Sequence, residues 1–192
     1  MPPESLPPSD ADLGRRALAG ESDAFTALVE RYAPGLLRYA RRLTRNDEDA
    51  QDIVQETLVR LHQNLAKLDF SDPLKPWLYR VCTNLCRNLA KRKRTIAFSD
   101  LESDEEDSSF VELQESQEPT PSEILLASVR AEVVAKAVAA LPQKYQAVVA
   151  LYYWEGLSYE EIADVLRIPI NTVRTHLKRA KDRLGSSLSA LV

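Results

Sequence analysis

Apolar residues recur along this chain at three- and four-residue steps and nowhere alternate for long, so the pattern predicts helices in two separate stretches. In the first, a short helix covers Asp10 to Ala19 and stops at Gly20, which suits the left-handed position after a helix. Ser22 is placed to cap a second helix whose Phe25, Leu28, Val29 and Tyr32 share a face. Pro34 suits the first turn of a third, carrying Leu36, Leu37, Ala40 and Leu43. A fourth starts near Asn46, with Ala50, Ile53, Val54, Leu58, Leu61 and Leu65 as its buried stripe. After Ser71-Asp72-Pro73 and Lys75-Pro76, a fifth carries Trp77, Leu78, Val81, Leu85 and Leu89 and dissolves into the basic run Lys91 to Arg94. The spacing of Trp77 with Val81 and Leu85 assigns it to the core.

The second stretch begins with a helix from Ser122 to Ala140, broken at Leu141-Pro142, and another spans Gln143 to Glu155 and stops at Gly156. Ser158 and Glu161 have the spacing of a capping box, in which each side chain satisfies the other's free backbone N–H. They open a short helix, Tyr159 to Leu166, with Ile162, Ala163 and Leu166 on its apolar side. Arg167-Ile168-Pro169-Ile170 reads as a turn, because Pro169 biases Ile168 out of helical geometry, and a last helix runs from Asn171 to Leu188. The fold class is therefore all-α: two small helical domains (10–96 and 122–188) joined by a flexible acidic linker (97–121), the second domain containing a helix-turn-helix.

Charge changes the picture. The formal net charge of −4 over 192 residues disfavours a nucleic-acid partner only if it is evenly spread, and it is not. From Thr95 to Val129 there is no Lys or Arg, while Asp100, Glu102, Asp104, Glu105, Glu106 and Asp107 crowd one end of that span. Such a segment repels itself and has little to bury, hence the linker assignment. The flanking pieces are basic: Arg87, Lys91, Arg92, Lys93 and Arg94 end the first, and Arg174, Lys178, Arg179, Lys181 and Arg183 end the second.

Several function classes are expected to be absent. No apolar run approaches the roughly 18 residues of a spanning helix, and the proline-rich start lacks the basic and apolar parts of a signal peptide, so no membrane insertion and a cytoplasmic location are expected. The two cysteines, Cys82 and Cys86, lie four residues apart on one helical face and read as buried thiols. With only His62 and His176 besides, neither at a ligand spacing, no metal and no cofactor is expected. There is no glycine-rich phosphate loop, and no carboxylate pair has a desolvated pocket or a nucleophile beside it, so the chain is not expected to be an enzyme.

The order of capping box, turn and basic helix is that of a helix-turn-helix DNA reader. At 100° per residue, Val173, Leu177, Ala180 and Leu184 fall on one buried strip. Asn171, Arg174, Thr175, Lys178, Arg179 and Asp182 fall opposite, where amides and cations can read base edges or neutralise phosphates. His176, about 60° from the buried strip, is assigned to packing. A solvated face of an ordinary amphipathic helix has the same pattern.

Three segments together resemble a known family. Asp47-Glu48-Asp49-Ala50-Gln51-Asp52-Ile53-Val54-Gln55-Glu56, then Pro76-Trp77-Leu78-Tyr79-Arg80-Val81 with Asn84, then Gly156-Leu157-Ser158-Tyr159-Glu160-Glu161-Ile162-Ala163 with Asn171-Thr172-Val173-Arg174 are similar to the extracytoplasmic-function sigma factors of bacterial RNA polymerase. The resemblance covers everything but the proline-rich start and the acidic linker.

The resemblance implies that the fourth helix docks on core RNA polymerase through Asp49, Asp52, Gln55, Glu56, Arg60 and Gln63, a face that is otherwise a solvated helix surface. It implies minus-ten promoter contacts from Phe70, as a stacking surface for an extruded base, and from Arg80, Asn84, Arg87, Lys91 and Arg92. It implies minus-thirty-five contacts from Asn171, Thr172, Arg174, Thr175, Lys178 and Arg179. Asn171 stands where many relatives carry glycine, and Tyr153 where some carry a basic residue that would meet an upstream phosphate. The linker is either a strand threading the polymerase cleft or plain spacer. The implied partners are core RNA polymerase, promoter DNA and an anti-sigma factor. Two other readings remain: a homodimeric helix-turn-helix regulator of palindromic operators, which lacks an obvious dimerisation helix, and a thiol or metal sensor built on Cys82 and Cys86.

Overall fold

The protein is described by a computed structural model covering residues 7–70, 72–97 and 134–189. Among the described residues every regular element is helical, and the chain divides into two compact units. The acidic segment and the helix expected from Ser122 lie, up to residue 133, outside the described residues, as does Ser71.

The N-terminal unit begins with α1 (Asp10–Leu18), where the Ser9 hydroxyl accepts from the Asp12 N–H at 3.2 Å. Gly20 sits at φ 92°, the left-handed position expected of it. Arg31 fastens α1 to the next helix, donating to the Asp10 carboxylate at 2.5 Å and to the Pro8 carbonyl at 2.6 Å, while the Tyr32 hydroxyl donates to the other Asp10 oxygen.

The helices expected on either side of Pro34 are a single one, α2 (Ser22–Thr44), with Pro34 inside it. Interior proline removes one backbone bond and costs about 3 kcal/mol. Leu28, Tyr32, Leu36, Tyr39 and Leu43 are all buried along this helix, each worth roughly 1.5–3 kcal/mol, so packing outweighs the break. Ser22 is not the cap either: Glu21 holds that place and makes no side-chain cap bond.

α3 (Asp47–Asn64) starts where expected, with Asn46 Oδ1 accepting from the Asp49 N–H at 2.9 Å. Its buried face holds Ala50, Ile53, Val54, Leu61 and also Thr57, whose hydroxyl donates to the Ile53 carbonyl at 2.7 Å. A 3₁₀ turn (Leu65–Lys67) leads out of it.

α4 (Leu74–Ala97) differs from expectation twice: it stays helical through Lys91 to Arg94, and its buried stripe is Leu74, Leu78, Tyr79, Cys82, Thr83 and Cys86. Trp77, Val81 and Leu85 are only half-buried, one position out of phase. The reason is a polar ladder that places α4 against α2: Tyr39 and Thr83 share a hydroxyl bond of 2.9 Å, Thr83 donates on to the Tyr79 carbonyl at 2.7 Å, and the rings of Tyr39 and Tyr79 meet edge to face. Cys82 and Cys86 are both free and buried.

The C-terminal unit holds α5 (134–139), α6 (Gln143–Val149), α7 (Tyr159–Leu166) and α8 (Ile170–Ser189). The helix expected to run on to Glu155 changes type instead: Ala150–Trp154 is a π-helical turn, closed by the Glu155 N–H donating to the Ala150 carbonyl at 3.1 Å. Buried Gln146 satisfies the α5–α6 turn, its amide donating to the carbonyls of Ala139 at 2.8 Å and Leu141 at 2.6 Å. Gly156, at φ 68°, ends the π turn, with the Leu157 N–H reaching back to the Leu151 carbonyl at 3.0 Å.

Candidate polymerase and DNA interfaces

The outer face of α3 is acidic from its first turn, where Asp47, Glu48 and Asp49 meet the positive end of the helix dipole. A hydrogen bond from Arg41 holds the Asp47 carboxyl below the usual carboxylate range, and Gln51 adds a second at 2.8 Å. Asp52, Gln55, Glu56 and Gln63 are exposed, whereas Asp49 and Arg60 are half-buried. Arg60 pairs with Glu56 at 2.8 Å. An exposed i,i+4 pair is worth only about 0.3–0.5 kcal/mol, so either side chain is readily turned to a partner.

Beside this face lies a groove of about 750 Å³ between α2 and α3. Phe25, Pro34 and Leu37 form one wall and Val54, Leu58 and Val59 the other, with Gln51, Gln55, His62 and Gln63 among its lining. Val59 is 41% exposed, and the Phe25 and His62 rings meet edge to face at 5.2 Å. Leu58, expected in the core, lines this groove half-exposed. Periodicity reports that a position is apolar, not whether the molecule's own core or an open groove receives it.

The residues expected at the minus-ten element fall into two places. Arg80, Asn84, Arg87 and Lys91 follow each other at helical steps along one face of α4, with Arg92 beside them; Arg87, Lys91 and Arg92 are exposed and Arg80 and Asn84 half-buried. Phe70 sits apart, in the loop before α4, half-buried with its ring against Gly14 of α1.

In the helix-turn-helix, Ser158 Oγ accepts from the Glu161 N–H at 3.2 Å and Glu161 accepts from the Ser158 N–H at 2.7 Å, the reciprocal cap that starts α7. Arg167 makes the turn at φ 53°, and α8 begins at Ile170, one residue earlier than its polar pattern suggested. Val173 and Ala180 are buried and Leu177 and Leu184 half-buried. Asn171, Arg174, Thr175, Lys178 and Arg179 are exposed together, and Thr172 is half-buried. Asn171 organises the start of this face, accepting from Arg174 at 3.3 Å on its side chain and from the Thr175 hydroxyl at 2.8 Å on its carbonyl.

His176 packs edge to face on Tyr145 at 5.3 Å, its Nδ1 buried without a hydrogen-bond partner; burial first, then the charges of Lys144 and Arg179, push its pKa down. Tyr145 itself was missed in the sequence. A hydrogen bond from Arg179 pulls its phenol below the ordinary tyrosine range, and Lys144 and Arg183 each lie 5.4 Å from its ring centre. Periodicity within α8 could not find it, because Tyr145 belongs to α6. Also missed were Tyr152 and Tyr159, whose rings meet at 5.2 Å; the hydrogen bond that Tyr159 donates to Tyr152 raises the Tyr159 pKa on balance, against the opposing charge of nearby Arg174.

The cysteines are placed as the buried-thiol reading requires. A hydrogen bond with Cys86, then burial, pushes the Cys82 thiol up, which suppresses the reactive thiolate. Among the described residues no group of three or more His, Cys, Asp or Glu is arranged to hold a metal ion, and no helix is long and apolar enough to cross a membrane.

Comparison with known proteins gives the family. Residues 28–96 match the family Sigma-70 region 2, and residues 131–184 match Sigma-70, region 4. The chain is 30% identical to the RNA polymerase sigma-H factor of Pseudomonas aeruginosa over 95% of both chains. It is 28% identical to the ECF RNA polymerase sigma factor SigW of Bacillus subtilis over 90% of this chain and 92% of that one. Among solved structures, the fold is similar to CnrH in complex with the cytosolic domain of CnrY (TM-score 0.65, 24% identity, 95% of this chain and 99% of that chain). It is also similar to the sigma factor RpoE in complex with the anti-sigma factor NepR from Bartonella quintana (TM-score 0.66, 24% identity, 86% and 96%). With both regions in order and a full-length relative at that identity, the chain belongs to the extracytoplasmic-function class of RNA polymerase sigma factors, the subunits that direct promoter recognition at transcription initiation.

Proposed function

We propose that residues 10–96 dock on core RNA polymerase and open the minus-ten element, that 122–188 read the minus-thirty-five element as duplex, and that 97–121 tether the two. The observation that carries the docking assignment is the acidic face of α3 running beside an open apolar groove. Carboxylates next to exposed apolar side chains suit a helical protein partner with basic residues flanking an apolar ridge, since charge steers the encounter and desolvated apolar contact supplies the affinity.

Asp49, Asp52, Gln55, Glu56, Arg60 and Gln63 form that contact. In the minus-ten region Phe70 stacks on an extruded base, Arg80 and Asn84 hold its edge, and Arg87, Lys91 and Arg92 neutralise phosphates. On α8, Arg174, Thr175, Lys178 and Arg179 face the major groove, with Asn171 and Thr172 near a phosphate at the helix start. The chain performs no chemistry of its own: it converts binding energy into an opened promoter, works where the polymerase works, in the cytoplasm, and needs no cofactor. An anti-sigma factor, the kind of partner named with the Bartonella relative, would restrain it by covering the same α2–α3 groove.

The test is transcription from a randomised promoter library by purified core polymerase with and without this chain. Redirected start sites sharing two elements at a set spacing are expected; unchanged starts, or tight binding to a palindrome without polymerase, would refute the reading.

A further inference from the structure

The ring of Phe70 reaches α1 at a position where no other residue type leaves room for it. A Cβ built on Gly14 would lie 2.2 Å from Cε1 of Phe70, 2.3 Å from Cζ and 2.6 Å from Cδ1. Gly14 is buried within α1, and its backbone does not adopt positive φ, so helix geometry gives no reason for glycine there. Glycine inside a helix is in fact unfavourable relative to alanine. What the missing side chain provides is the seat for the ring edge.

That seat is firmly held. Leu13 beside it is 1% exposed, and α1 is tied to α2 through Asp10 by Arg31 at 2.5 Å and by Tyr32. Phe70 is nonetheless only half-buried, so one part of the ring rests on α1 while the rest stays open. The two atoms closest to an added methyl, Cε1 and Cζ, lie at the outer end of a two-torsion side chain, so a substitution at Gly14 would displace the ring more readily than the backbone.

We infer that Gly14 is a positioning residue for minus-ten recognition: the absence of its side chain sets where the Phe70 ring sits, and thereby which base that ring accepts. This rests on the reading of Phe70 as a stacking surface. Phe70 supplies the three atoms that a side chain at Gly14 would meet first, so the effect is expected at the one promoter position that the ring serves.

The experiment uses the full chain with core polymerase and promoters varied only at the extruded base, comparing Gly14→Ala, Phe70→Ala, Gly14→Ala/Phe70→Ala and Gly14→Ala/Phe70→Leu. Gly14→Ala is expected to lose about tenfold in discrimination among the four bases, the scale of one base-pair preference, with polymerase affinity and minus-thirty-five preference unchanged. Adding Gly14→Ala to Phe70→Ala should change nothing further. If Gly14→Ala alone weakens folding, Gly14→Ala/Phe70→Leu, which lacks Cε1 and Cζ, the two closest of the colliding atoms, is expected to restore it. Discrimination altered by Phe70→Ala but not by Gly14→Ala, additive effects of the two, or no recovery of folding with leucine overturns the role of Gly14 while leaving that of Phe70. Discrimination untouched by Phe70→Ala removes the stacking assignment and the inference with it.

Discussion

α3 and α8 are both amphipathic helices with a continuous polar outer face, and they differ in what lies beside that face. On α3 the carboxylates border an open groove of aliphatic and aromatic side chains. On α8 the outward residues are mainly cations, with an amide, a hydroxyl and the single carboxylate of Asp182, and Lys144 and Arg183 gather round Tyr145 close by. Amphipathic period alone does not separate a helix that meets protein from one that meets nucleic acid. The neighbouring surface does: exposed apolar area is useful only against another apolar surface, whereas clustered cations are useful against phosphate.

The largest expected effect comes from reversing charge on α3, the helix proposed to face the polymerase. Asp52→Lys should weaken association with core polymerase by about 3 kcal/mol, roughly a hundredfold, while the separate ability of α8 to prefer its duplex is retained. Titration of labelled core enzyme measures it, and wild-type affinity would remove Asp52 from the docking face. Arg174→Ala should do the reverse, leaving polymerase affinity intact and costing about 1–3 kcal/mol at one position of the minus-thirty-five element, read by competition among promoter variants. An equal loss on every sequence would make Arg174 a phosphate contact instead.

The smallest effect sharpens the comparison from the apolar side of α8. The pKa of His176 is depressed below 6.5 in the folded unit, so the unfolded chain binds more protons there as pH falls through the unfolded value. Its contribution to stability is therefore complete above about pH 6.5 and is lost toward acid. His176→Phe keeps the ring on Tyr145 and should flatten that part of the pH dependence in denaturant melts at pH 7.5 and 5.5. An unaltered slope would show that His176 is not the titrating group.

How much of this was legible in the sequence follows from how local each signal is. Gly20, Asn46, the Ser158–Glu161 box and Gly156 act on backbone groups within a few residues of themselves, and all four mark boundaries as expected. Pro34 is also a local signal, yet five buried side chains overrode it. The phase of α4 was misread by one position because the Tyr39–Thr83 bond joins residues 44 apart, beyond the reach of periodicity. The exposed cations of α8 were readable as a set, since they share one helix. The groove between α2 and α3, the Phe70–Gly14 seat and the Tyr145 cluster each need two elements brought together, and no spacing within one element encodes them.

The wide turn at Ala150–Trp154 has a consequence for how this unit tolerates change. Such a turn holds one residue more than an α-turn, absorbed without breaking the rod. The direction in which the chain enters the Gly156 cap and then α7 is thus governed by how many residues occupy the segment rather than by which. Removing one residue from the segment is expected to return it to an ordinary α-turn with the flanking helix still in register, whereas removing a second would rotate the entry to α7 by about 100° and carry α8 with it.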